Sequence, residues 1–484
     1  MDEDVLDAAE TLLSYLDDHD EVAYATVGGV SSDRVDAVVT HDRTRNVTRI
    51  PETGVWCRAY ADGAAGYRYT TTLDEDALID VADRALRSGK HLGQDEPAMI
   101  DPATVHRSIH RGWADRPLDS RTPDEQVAPI EAVRDEAVDA IDLDRARFEY
   151  RGEHLDEVTM TTAGSAIRST LDRFSVDVTL VAKGGQRVDR HVGSTEGEGA
   201  IDTLTGTVEE AVDCLDRLES LDRTTVSSDE DIAIVLGPRA AGQLIHALSA
   251  YFEIDAVYMG SSPFELGDRI GPALLTIHDT IEPGSWAARA YDAEARAATP
   301  RTLVDDGRVR QYMHSTASAA VDDAMPAGNL IPSLGYDTAP RVHARHLAVE
   351  AGTDCLDDLL ADATAYVERF DRIRVENEAT RTKRAGAFPA STLYAKDARE
   401  RTPSRYDESD QSLSLAVSEG YRIVDGDFVG SLSDETITLD LADLHSIDGV
   451  TAGRETVTGT TTKHTSRLPY AVTAPAIRLR TRFE

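Results

Sequence analysis

The chain has 484 residues, of which 41% are apolar, enough for a sizeable buried core in two to four domains. Its formal net charge is −38, with five lysines among fifty basic residues. That field argues against direct nucleic-acid binding, because phosphates would meet negative potential, and it fits a halophilic surface stable where molar salt shortens the Debye length to about 3 Å.

The N-terminal run MDEDVLDAAETLL is acidic and amphipathic. It lacks the basic and apolar segments of a secretory signal, and no run of about 18 apolar residues follows, so a cytoplasmic protein without a membrane span is expected. A helix from Val5 to Leu16 is predicted, then two strand-like runs, EVAYATVGGV and VDAVVTHDRTRNVTRI. GVWCRAYADGAAGYRYTTT reads as a hairpin turning at Asp62-Gly63, and DEDALIDVADRALRSG as a helix stopping at Gly89. These make an N-terminal α/β domain over residues 1–100.

A mixed middle region is expected over residues 101–228. It opens on an irregular, proline-bearing segment, then a helix in TPDEQVAPIEAVRDEAVDAI and a hairpin in SVDVTLVAKGGQRVDRHVGS. In that hairpin Val176, Val178 and Leu180 share a face and Gly184-Gly185 makes the turn. There is no G-x-x-x-x-G-K-[ST] around those glycines, so the turn is not a phosphate loop. A helix from about Thr207 to Leu221 closes the region.

A β-rich C-terminal domain is expected over residues 229–484, giving an α+β fold overall. A strand from Asp231 to Leu236 leads through Gly237-Pro238 into the helix LIHALSAYF, with Leu244, Ile245, Leu248 and Phe252 as its core-facing stripe. CLDDLLADATAYVERF is predicted as one helix, and residues 395–412 as a polar surface insertion. Cys57, Cys214 and Cys355 form no CxxC pair, so three buried, unpaired thiols are expected. His343 and His346 are three apart in a strand-like context, and Ser261 and Ser262 sit outside any G-x-S-x-G elbow, in what reads as a solvated turn.

The order of several segments resembles the TldD/PmbA family, also called the modulator of DNA gyrase family. The segments are GVWCRAYADGAAGYRYTTTLDEDALIDVADRAL, the Gly237-Pro238 helix, GSSPFELGDRIGPALLTIHD, YDAEARAATPRTLVDDGRVRQYMHSTASA, APRVHARHLAVEAG and TTKHTSRLPYAVTAPAIRL. In catalytic members the helix carries His-Glu-x-x-x-His, and a Cys-Gly-Lys stretch completes a zinc site. Five residues turn a helix about 140° from the first position, so both histidines meet one metal only if the helix ends or bulges there.

Against that pattern the chain keeps His246 but has Ala247 at the Glu position and Tyr251 at the second His. Thr461 stands at the Cys position and Thr462 at the Gly; Lys463 remains. The resemblance therefore implies a PmbA-type (TldE-type) member without catalytic residues or bound metal of its own. Zinc is expected only in a catalytic partner subunit, and the partner is expected to be a TldD-type sister subunit or, in a homodimer, a second copy of the chain. It further implies that unfolded peptide enters a cavity shaped by His246, Ser261, Phe264, Lys463 and His464. Two other readings stay open: an active peptidase using His246 and His464, and a non-enzymatic peptide-binding or gyrase-modulating protein.

Overall fold

The computed structural model describes residues 2–61, 64–92, 105–226, 232–377 and 411–483. The expected Asp62-Gly63 turn and nearly all of the polar insertion lie outside them. The architecture is α+β: two large sheets, with helices on the outer face of the first.

The first sheet begins with α1 (Glu3–Asp17), capped by the Asp2 side chain, then β1 (Tyr24–Thr40), β2 (Thr44–Ala61), β3 (Ala64–Thr70) and α2 (Glu75–Leu92). It continues with β4 (Arg107–His110), α3 (Pro123–Ala140), β5 (Leu143–Thr161), β6 (Ala166–Ala182), β7 (Arg187–Ser194) and α4 (Ile201–Ser220). The strands run in the order β3-β2-β1-β5-β6-β4, with β7 on the other end of β6. β1 pairs with β5 along its length, so segments 1–100 and 101–228 contribute to one sheet.

The period of two along β1 separates its faces. Ala25 and Val27 pack under α1 and α2, and Val35, Ala37 and Val39 pack with residues of α3 and α4. On the other face Val30 joins the core of the C-terminal region, while Arg34 and Asp36 line a cavity.

The second sheet carries β8 (Ile232–Leu236), α5 (Pro238–Ser249), α6 (Ile254–Tyr258), β9 (Ile277–Thr280), β10 (Arg301–Asp305), β11 (Arg308–Val309) and α7 (Thr316–Asp322). The short strands β12 (Leu330–Ile331) and β13 (Arg341–Val342) pair apart from it. Then come β14 (His346–Val349), α8 (Leu356–Ala361), β15 (Ala365–Asn377), β16 (Gln411–Val424), β17 (Asp427–Ser431), β18 (Thr436–Asp440), β19 (Gly449–Lys463) and β20 (Ser466–Phe483). β20 pairs with β8, β14, β18 and β19.

Buried ion pairs tie the two regions together: Arg58 to Glu294, Arg289 to Glu157 and Arg190 to Glu419, each at 2.7 Å. Such pairs cost desolvation, and losing one partner strands a buried charge, so they favour one docking geometry more than they add stability.

Several local expectations change. CLDDLLADATAYVERF is not one helix: α8 ends at Ala361, and Ala365 onward is β15. Tyr366, Val367 and Phe370 are buried within the sheet, where aromatic and β-branched side chains pack well, and that burial overrides the helical spacing. α4 starts at Ile201, earlier than Thr207. The two N-terminal strand-like runs fuse at Val30–Val35 into the single strand β1, and the second run turns after Thr40 into β2. Cys57 and Cys214 are buried, but Cys355 is exposed at the start of α8. Among the described residues no helix is long and apolar enough to cross a membrane.

Candidate functional site

Gly237 and Pro238 start α5, and Leu244, Ile245 and Leu248 press it into the core. That leaves His246 and Ala247 on its half-buried side. The helix ends at Ser249, whose Oγ donates to the His246 carbonyl at 2.7 Å, and the chain tightens into a 3-10 turn over Ala250–Phe252. The break needed for a ligand pair five residues apart is thus present, although Tyr251 occupies the second position.

The His246 ring stacks on Tyr470 with centroids 3.7 Å apart and planes 15° from parallel. Gly459 lies opposite Tyr470 on β19, and the tyrosine hydroxyl fills the space a Cβ would take there, 2.4 Å from that position. The edge of the His246 ring meets His343, 5.6 Å away. Burial, reinforced by His343, pushes the His246 imidazole down to about 3, so it is neutral at ordinary pH.

Glu253, two residues beyond Tyr251, is buried between Phe252 and Ile254. Its carboxylate accepts from His343 Nδ1 at 2.7 Å and from Lys463 Nζ. The same ammonium donates to the Val342 carbonyl at 3.0 Å and lies 3.9 Å from Asp255. Burial opposes the charge on Glu253, but Lys463 and His343 outweigh it and hold the carboxyl below its usual range. Neither Glu253 nor His343 was expected in the site. The acidic pair Glu253 and Asp255 inside the apolar run AYFEIDAVY is the signal that could have found Glu253; nothing local to His343 points to it.

The other expected residues are placed as follows. Tyr251 packs edge-on against Phe264, 5.6 Å away, and burial pushes its hydroxyl up to about 12. Thr461 is half-buried on β19 opposite Leu468. Ser261 is half-buried rather than a free turn hydroxyl: its N–H and Oγ both donate to the Ala256 carbonyl. Ser262 accepts from the Phe264 N–H. His464 is exposed in the β19–β20 turn at φ 57°, and the imidazole that meets His246 is His343. His346 lies elsewhere, held between Ser285 and Thr473 at 2.8 Å each.

A zinc ion does not fit this arrangement. His343 Nδ1 is engaged by Glu253, and the Lys463 ammonium already sits against the buried carboxylates of Glu253 and Asp255, where a second cation would meet its repulsion. The other close carboxylate group, Glu210, Glu368 and Glu455, gathers around the Arg239 guanidinium instead.

In front of Tyr470 a cavity of about 800 Å³ opens between the first sheet and the β19–β20 hairpin. Gln243 of α5 and Thr458, Thr460 and Thr462 of β19 line it. Alternation along the strand turns Thr461 away. None of His246, Ser261, Phe264, Lys463 and His464 lines this cavity.

Residues 229–481 match the model of the PmbA/TldA metallopeptidase C-terminal domain, and residues 25–89 that of PmbA/TldA metallopeptidase domain 1. A metalloprotease of Methanothermobacter thermautotrophicus is 22% identical over 482 residues, covering 96% of each chain. A metalloprotease of Synechocystis is 24% identical over 311 residues, covering 61% of this chain and 65% of the relative. The structure of TldE from Thermococcus kodakarensis superposes with a TM-score of 0.67 at 13% identity, covering 98% of this chain and 99% of that one. A Thermotoga maritima protein assigned as a modulator of a DNA gyrase superposes with a TM-score of 0.71 at 15% identity, covering 99% and 100%. The chain belongs to the TldD/PmbA metallopeptidase family.

Proposed function

We propose that this chain is the non-catalytic, TldE-like subunit of a cytoplasmic complex that processes unfolded peptides, with zinc chemistry supplied by a TldD-type sister. The observation that carries the reading is that Ala247, Tyr251 and Thr461 stand where the base and two of the ligands of the zinc motif would be, while His246, the one group kept, is stacked on Tyr470. A single imidazole supplies neither the ligand set nor the base that zinc-dependent peptide hydrolysis needs.

The scaffold still suits peptide handling. β19 pairs with β20 on one side, and its cavity-facing threonines border the open space. An extended peptide can add its backbone to such an edge, which selects unfolded chains over folded ones. A cavity wall without chemistry of its own is useful when a second subunit brings the chemistry.

Metal analysis of the isolated chain, purified without chelator, should give far less than one zinc per chain. About one zinc per chain, lost in His246→Ala, would refute the non-catalytic assignment. Co-expression with a TldD-type sister should give a complex on sizing, with an interface above roughly 2,000 Å² in total, and peptide cleavage that depends on both chains. If this chain elutes alone and the sister cleaves equally well without it, the partner reading is wrong.

A further inference from the structure

The cavity in front of Tyr470 differs in charge from the rest of the molecule. Seven arginines and five carboxylates line it, an arginine-rich surface in a chain of net charge −38. Most of these arginines are held by carboxylates. Arg34 and Arg151 contact Asp36 at 3.2 and 3.1 Å, and Arg173 contacts Glu153 at 3.1 Å. Arg190 sits on Glu419 at 2.7 Å and Arg239 on Glu210 at 2.8 Å.

Arg369 and Arg467 are different. Among the described residues neither has a carboxylate oxygen within 4.0 Å, and the Arg369 guanidinium donates only to Ser418 Oγ, at 3.3 Å. Both line the cavity with the β6–β7 ladder, where Asp177 faces His191 and, two rungs on, Thr179 faces Asp189. Burial works against the charges of Asp177 and Asp189. Both carboxyls nevertheless lie below the ordinary range, helped by hydrogen bonds from His191 and Arg187 and by the fields of Arg467 and Arg369 respectively.

We propose that this wall binds the carboxylate groups of extended peptides, with Arg369 and Arg467 supplying the charge. The inference rests on reading the cavity as a peptide chamber, and it names the peptides that chamber prefers: acidic ones. The carboxylates can come from Asp and Glu side chains or from a peptide's own C-terminus.

The test uses the isolated full chain, at the lowest salt at which it stays folded, and fluorescence anisotropy of labelled ten-residue peptides. The set holds an Asp/Glu-rich amidated peptide, a Ser/Ala peptide with a free carboxyl end, the same peptide amidated, and a Lys-rich amidated peptide. At least one carboxylate-bearing peptide should bind about tenfold tighter than the neutral amidated one, the scale of one charge-assisted hydrogen bond. A gain by the acid-rich peptide assigns the site to side chains; a gain by the free-ended peptide alone assigns it to chain ends. In R369Q/R467Q the gain should vanish, while the melting temperature and the affinity for the neutral peptide stay unchanged. Equal binding of all four peptides, no binding of any, a preference for the Lys-rich peptide, or a preference that survives R369Q/R467Q would each overturn the proposal. No sister subunit enters the assay, so failure of the partner reading is read separately, in the co-expression experiment.

Discussion

A Lys463→Met chain is expected to be less stable than its parent by about 3 kcal/mol at pH 7, the scale for removing one partner of a buried ion pair. Methionine keeps most of the side chain's length and apolar stem, so the loss reports the charge. Without the ammonium, the buried Glu253 carboxylate keeps only His343. The pH dependence gives a second readout. In the parent, the Glu253 carboxyl is held below its unfolded value of about 4.3. Its contribution is therefore complete above that value and is lost as pH falls through the lower, folded one. In Lys463→Met, burial dominates and raises the carboxyl, so the variant prefers it protonated and recovers part of the deficit as the medium acidifies. Chemical denaturation of both chains between pH 8 and 4 should show the gap narrowing toward acid. A gap that stays constant would mean that Lys463 acts through packing and not by holding the Glu253 charge.

The second large effect concerns salt. With a net charge of −38, like charges crowd the folded surface at distances a dilute buffer does not screen. Between about 0.1 and 2 M salt the Debye length falls from roughly 10 Å to below 3 Å. The melting temperature should rise by about 5 °C or more across that series; at this chain length each kcal/mol moves it by only about 1 °C, and the repulsion relieved is on the order of several kcal/mol. Potassium chloride and sodium chloride should act alike, because screening depends on ionic strength. A melting temperature that stays flat would show that surface repulsion does not limit this fold.

Elements with a strong local signature were legible in the sequence: α1 by its amphipathic pattern, α2 by its acidic start (although it runs past the expected stop at Gly89 to Leu92), the stretch that forms α3, and the β6–β7 hairpin by its glycine turn. The α8–β15 boundary was not. Leu356, Leu359 and Leu360 keep helical spacing with Val367, and only the burial of Tyr366 and Phe370 between β8 and β16 decides for a strand. The site divided in the same way. His246, Ala247, Tyr251 and Thr461 could be located because they fill positions in a motif. The contacts that define their chemistry could not, because Glu253 meets His343 across 90 residues and Lys463 across 210. No local pattern encodes pairs that distant, and here they decide that the buried cation is an ammonium.

β20, the strand shared by β8, β14, β18 and β19, also bears on biosynthesis. A ribosome delivers β8 more than two hundred residues before the strand that borders it through Ile477–Thr481. Until β20 emerges, the apolar faces of β8, α5 and β14 have only part of their neighbours, and the sheet has open edges. Nucleation around such late, distant pairings is slow and leaves sticky intermediates waiting. A nascent chain of this kind depends on being shielded during synthesis, so loss of trigger-type or Hsp70-type chaperoning should lower its soluble yield more than that of a protein whose sheets close hairpin by hairpin.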